Sequence, residues 1–259
     1  MSIDLISTIF ITIIGLLIGS FLNVVIYRMP RKLSVVKPRS SCPKCGHMVT
    51  WYENIPVISY LYLRGKCSSC HTKISLRYPL VELIMGLVAF LLAPRHLDYQ
   101  SLATFIFYFS IAAIFLAHIL IDLEHRLLLD KLNIYLLCIV TPYAIMNFSP
   151  FHWLLGGFIG FCGPLAISYL FYKLKNQEGL GGGDIKLFGV LGIILGPIGV
   201  MNNIFMSCSL GAIVGVTLIL IKKLNKDTAF AFGPFILIVA TAQIFFPSIV
   251  ELINPFTIR

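Results

Sequence analysis

Apolar runs of about 20 residues recur along this chain, each long enough to cross a bilayer as a helix. Only 12% of its 259 residues are charged and 58% are hydrophobic, whereas a soluble domain carries roughly 25% charged residues. A lipid-facing backbone must satisfy its own hydrogen bonds, which leaves helices or closed barrels. A barrel would show alternating segments of about 10 residues, and the sequence has none. The expected fold is therefore an all-α polytopic membrane protein. Eight runs, at roughly 6–27, 79–94, 101–121, 132–148, 153–172, 185–200, 203–221 and 229–250, predict about eight transmembrane helices.

Lys and Arg orient these helices. The first run, unlike a cleaved signal peptide, has no basic residue before it and several after it. That order predicts an outside N-terminus. Alternation then places 28–78, 122–131, 173–186 and 222–228 inside, with ten, two, three and three Lys or Arg; only Arg95 and Arg259 fall outside. The net charge of +9 is thus a topological signal beside anionic lipid, and no nucleic-acid partner is needed to explain it.

The segment 28–78 is the one sizeable stretch expected to be soluble. It holds "CPKCG" at 42–46 and "CSSC" at 67–70. Two Cys-x-x-Cys pairs can close as paired knuckles around one tetrahedral zinc, making Cys42, Cys45, Cys67 and Cys70 the expected ligands. Gly46 suits the tight turn of a knuckle. Cys67 to His71 also matches a c-type haem attachment pattern, which would leave Cys42 and Cys45 unused; redox or free thiols are a further alternative. A loop this small buries little core, so metal binding would supply its folding energy.

Among the acids, Glu82, Asp122 and Asp184 fall at the edges of apolar runs, where ionisable groups are costly and usually functional. The predicted topology puts Asp122 and Asp184 at the same inside face. Two carboxylates meeting in dry surroundings share a proton, as peptide hydrolysis by an aspartate pair requires. The alternative is two interfacial acids, paired with Arg126 and Lys186 or reaching for water. Asp184 follows Gly181, Gly182 and Gly183, which permit close backbone approach and leave room for an extended chain. Gly181, Gly182, Gly183 and Lys186 are the expected supporting loop of such a site. His118, one turn before Asp122, reads equally as a hydrogen-bonded helix residue and is left outside the site.

These motifs in this order resemble the type IV prepilin peptidases, bacterial membrane aspartic proteases of the Gly-x-Gly-Asp kind. The resemblance rests on GSFLNVVIYRMP at 19–30, the two cysteine pairs, NIPVISYLYLRGKC at 54–67, ISLRYPLVELIMG at 74–86, IDLEHR at 121–126 and EGLGGGDIKL at 178–187. It implies that Asp122 and Asp184 are the catalytic pair. It also implies cleavage of prepilins and pseudopilins after a glycine, at the cytoplasmic face of the bacterial inner membrane. A second activity is implied by the cysteine loop, N-methylation of the new terminus with S-adenosylmethionine; the residues themselves show no donor site. Inside acids such as Glu178 would attract the basic leader. Where many family members carry proline before an acid, this chain has Leu129 before Asp130.

The domains expected on this basis are a first helix (1–27), a zinc-binding cytoplasmic domain (28–78) and a peptidase domain (79–259). Glu82 has three roles open to it: a part in methylation, orientation of the loop through Arg77, or stabilisation of its helix N-terminus. A membrane transporter or pilus-assembly scaffold with a zinc-stabilised docking loop is the alternative from another class. Neither the particular pilins processed nor the oligomeric state is written in the sequence.

Overall fold

The computed structural model describes residues 3–177, 179–221 and 231–247; Glu178 and the basic stretch 222–228 fall outside them. The described residues form eight α-helices and a short 3-10 turn at Tyr52–Asn54. In chain order the helices are α1 (Ile3–Arg28), α2 (Ile58–Tyr62), α3 (Arg77–Leu92), α4 (Tyr99–His125), α5 (Asp130–Asn147), α6 (Pro150–Lys175), α7 (Gly182–Leu220) and α8 (Gly233–Phe245). Four of them, α1, α4, α6 and α7, are long and apolar enough to cross a membrane.

The chain forms two compact units, residues 1–113 and 114–259. In the first, α1 packs on α3 through small residues. A Cβ on Gly19 would stand 2.7 Å from Glu82 Cα, and one on Gly15 would collide with Ala89. This is the close backbone approach that small-xxx-small pairs allow between apolar helices. Asn23 Nδ2 adds a hydrogen bond to Tyr78 O at 3.1 Å. In the second unit, α6 and α7 meet in the same way, Gly156 against Gly192 and Gly160 against the Phe188 carbonyl.

The apolar runs expected at 185–200 and 203–221 are joined in α7, and the break between them lies earlier than expected. Gly196 sits at φ 71, ψ −178, a conformation essentially open only to glycine. Pro197 follows and has no N–H to continue the ladder. Asn202, between the two predicted runs, and Asn203, which opens the second of them, lie within the second arm and are 2% and 0% exposed. Asn203 Nδ2 donates to Gln243 Oε1 at 2.8 Å and to Ile236 O at 3.3 Å. Asn203 thus joins α7 to α8, and neither asparagine ends a helix.

Candidate functional site

The four loop cysteines come together. Cys42, Cys45, Cys67 and Cys70 place all their Sγ atoms within 4.8 Å of one another. Cys42 and Cys70 are 3.8 Å apart, Cys45 and Cys67 4.0 Å. A disulfide needs about 2.05 Å, whereas four sulfurs at about 2.3 Å from one zinc stand roughly 3.8 Å from each other. The donor set therefore fits a tetrahedral thiolate-binding metal.

The two knuckles share one backbone design. Cys42 N–H bonds His47 O and Gly46 N–H bonds Cys42 O; Cys67 N–H bonds Thr72 O and His71 N–H bonds Cys67 O. Gly46 and His71 hold the equivalent left-handed turn, at φ 73 and 55. His71 is thus a turn residue of the second knuckle. The Thr72 hydroxyl and N–H hold the Cys70 thiol down to about 6, in the range of a ready metal ligand. Glu53 binds across the knuckles: its carboxylate takes the Ser68 hydroxyl, the Thr50 N–H at 2.8 Å and His47 at 3.4 Å.

Glu82 is 8% exposed and accepts the Val57 N–H at 2.8 Å. Its carboxylate therefore ties the loop to α3 through backbone. Sequence pattern could not reveal that partner, because a backbone N–H leaves no signature.

In the second unit, Asp122 lies in the last turn of α4 and is 5% exposed. It sits on the buried stripe that also carries Ile114, Phe115, His118 and Ile121, at helical spacing. Arg126, left-handed at φ 55, closes the helix by donating its N–H to Asp122 O at 2.8 Å. Asp122 Oδ2 accepts the Gly233 N–H at the start of α8, at 2.9 Å.

Asp184 is the third residue of α7, whose N-cap is Gly181. Its carboxylate reaches back to the Gly181 backbone, as an acid at this position of a capping box does. Asp184 and Asp122 lie within electrostatic reach of one another. The glycines before Asp184 differ in what they do. A Cβ on Gly181 would stand 2.9 Å from Asp184 Oδ2, and one on Gly183 would stand 2.8 Å from Leu128 Cβ. A Cβ on Gly182 would meet nothing within 4 Å. Two glycines thus admit neighbours already present, and the third faces open space.

Lys186 turns away from this pair, to Asp130 at the start of α5, at 2.8 Å. Both partners are largely exposed, so the contact is a surface tie between α5 and α7 worth at most about 1 kcal/mol. Leu129 takes φ −79, a value that proline also adopts. The backbone at the entry to α5 would therefore accommodate proline as well as Leu129.

Two residues outside the expected site touch it. Gly233 is one, and "FGP" at 232–234 is the turn-like break in an apolar run that could have marked it. Asn133 is the other: it is 3% exposed, and its Nδ2 donates to Gly183 O at 3.4 Å. His118 is fully buried beside Asn133.

Comparison with known proteins matches two successive parts of the chain to two family models. Residues 13–96, which hold the cysteines and Glu82, match the bacterial Peptidase A24 N-terminal domain. Residues 107–216, which hold both aspartates, match the type IV leader peptidase family. Three similar proteins each bear the name prepilin leader peptidase/N-methyltransferase. The one from Pseudomonas putida is 34% identical over 253 residues, covering 88% of this chain and 86% of its own. That from Neisseria gonorrhoeae is 33% identical over 249 residues, covering 86% and 84%. That from Myxococcus xanthus strain DK1622 is 35% identical over 215 residues, covering 82% of this chain; this chain spans 63% of that relative's length. No solved structure matches.

Proposed function

We propose that this chain, which belongs to the type IV prepilin leader peptidase/N-methyltransferase family, removes the leader peptide of prepilins and pseudopilins and then methylates the new N-terminus. Asp122 and Asp184 are the catalytic pair. The observation that carries this reading is their mutual placement: two acids, 62 positions apart in sequence, brought within electrostatic reach at the ends of α4 and α7.

Such a pair holds one proton between two carboxylates. The ionised member takes a proton from water as the water oxygen attacks the carbonyl carbon of the substrate glycine. The protonated member donates to the carbonyl oxygen, giving a tetrahedral diol. Collapse breaks the C–N bond, and a proton passes to the departing amine. Gly233 fixes one oxygen of Asp122 during these steps, and Gly181 fixes Asp184. The open side of Gly182 is where the unwound substrate backbone comes close.

Cys42, Cys45, Cys67 and Cys70 would hold one structural zinc per chain, which folds the loop rather than taking part in hydrolysis. S-adenosylmethionine, implied by the relatives' names, supplies the methyl group; no residue is assigned to it. The chain lies in the bacterial inner membrane, with about eight crossings, its N-terminus outside, and the zinc loop and aspartates at the cytoplasmic face. The charge asymmetry of the sequence supports this orientation.

The test is mass spectrometry of a prepilin incubated with the purified protein, with and without S-adenosylmethionine. Loss of the leader in both samples, and a gain of one methyl mass only with the donor, is the expected result. An uncut prepilin would contradict the reading.

A further inference from the structure

The cysteine loop, expected to be soluble, exposes a run of apolar and aromatic side chains. Trp51 is 74% exposed, Ile58 64%, Leu61 69% and Tyr62 80%, and Tyr52 and Ile55 are exposed beside them. Soluble surfaces scatter such residues singly; several of them exposed within one short segment mark a surface that something covers. These six lie within twelve consecutive positions, 51–62.

The segment is also held at a definite level. Val57 N–H donates to Glu82 Oε2 at 2.8 Å. Glu82 is five residues into α3 from Arg77, which at 1.5 Å per residue is about 7.5 Å down the helix. Interfacial segments bury their apolar faces about 5–10 Å into the headgroup and acyl boundary. The grip is maintained against strain. Val57, β-branched, sits at φ 62, ψ −48, and Ile58 N–H closes a γ-turn on Pro56 O at 2.6 Å. Turns of this hand are rare and strained, and persist only where the surroundings over-determine them. α2 begins at Ile58, directly from this anchor.

Charge identifies the covering surface. Residues 28–78 carry ten Lys or Arg and a single acid, Glu53, and that acid is occupied within the knuckles. A basic segment with Trp and Tyr among its apolar residues suits an anionic headgroup layer. A neutral or basic protein partner would gain nothing from that charge.

We propose that residues 51–62 are a lipid-docking face. Trp51, Tyr52, Ile55, Ile58, Leu61 and Tyr62 enter the boundary of an anionic bilayer, and Glu82 sets their depth by holding Val57. Glu82 is thereby a positioning residue for the loop. This rests on the membrane topology proposed above, and the assay reads that topology separately.

The chain has two tryptophans, Trp51 and Trp153, so each can be left as a single reporter. The full-length W153F protein is placed in nanodiscs of anionic lipid brominated near the headgroup end or deep in the acyl chain. Shallow bromines are expected to remove more than about half of the Trp51 emission, deep bromines less, and iodide in the buffer little. Purely zwitterionic nanodiscs should give clearly weaker quenching. Glu82→Ala should reduce the quenching, and Glu82→Gln, which keeps an acceptor for Val57, should preserve it.

Trp51 emission that iodide quenches and neither brominated lipid does would overturn the inference. If Trp153 in the W51F protein is still quenched by lipid, the topology survives that result. Iodide quenching of Trp51 that is lost only when a prepilin is added would overturn it too, assigning the face to the substrate.

Discussion

Gly233 donates its backbone N–H to Asp122 Oδ2 at 2.9 Å, across 111 positions of sequence. The contact depends on the absence of a side chain, because a Cβ on Gly233 would stand 2.8 Å from that same oxygen and 2.9 Å from Leu128 Cδ2. The start of α8 thus sets one aspartate, while the start of α7 sets the other.

Gly233→Ala should therefore displace the Asp122 carboxylate without unfolding the chain. Misplacement of a catalytic group by about 1 Å can lower turnover on the order of 100-fold. Prepilin cleavage should fall by that order in kcat, with KM little changed. Wild-type turnover would show that the Gly233 contact has no part in positioning.

The three glycines before Asp184 should separate stability from activity. Gly183→Ala forces a methyl against Leu128 and should destabilise by about 1–3 kcal/mol, as overpacking does. Gly182→Ala meets open space and relieves a flexible helical position, so stability should hold or rise by up to about 1 kcal/mol. Cleavage by the Gly182 variant should nevertheless weaken through a raised KM, since the methyl occupies the side offered to substrate. Thermal unfolding and cleavage kinetics on the two variants read both effects.

Glu53 makes the cysteine loop acid-sensitive. Hydrogen bonds from the Ser68 hydroxyl and the Thr50 N–H lower its carboxyl from 4.5 to about 2. A depressed folded value means that the contribution is fully present above pH 4.5 and is lost as pH falls toward 2. Glu53→Gln should accordingly be less stable than wild type at neutral pH, and the difference should shrink below pH 4.5. Unfolding midpoints of both proteins across that range measure it; a difference independent of pH would contradict the role of the charge.

Much of this architecture can be read in the sequence where local chemistry carries it. The cysteine pairs announce their convergence by spacing, and Gly46 announces its turn. Charge asymmetry and apolar runs put Asp122 and Asp184 at comparable helix ends, where the structure has them. What escapes is set by distant partners. The boundary expected at 201–202 misses the actual break at Gly196–Pro197, and the hold of Asn203 on Gln243 of α8 spans 40 positions. The Gly233 contact and the hold of Glu82 on Val57 are made by backbone N–H groups, which residue identity does not reveal. Lys186, adjacent in sequence to the glycine loop, finds Asp130 because the fold brings α5 beside α7.

Leader removal by aspartate variants tests the central claim most directly. Asp122→Asn and Asp184→Asn keep the size and much of the hydrogen bonding of each side chain but abolish the shared proton. Each purified variant, incubated with a prepilin and analysed by mass spectrometry, should leave the leader attached while the wild-type protein removes it. Leader removal at the wild-type rate by either variant would contradict the assignment of the pair.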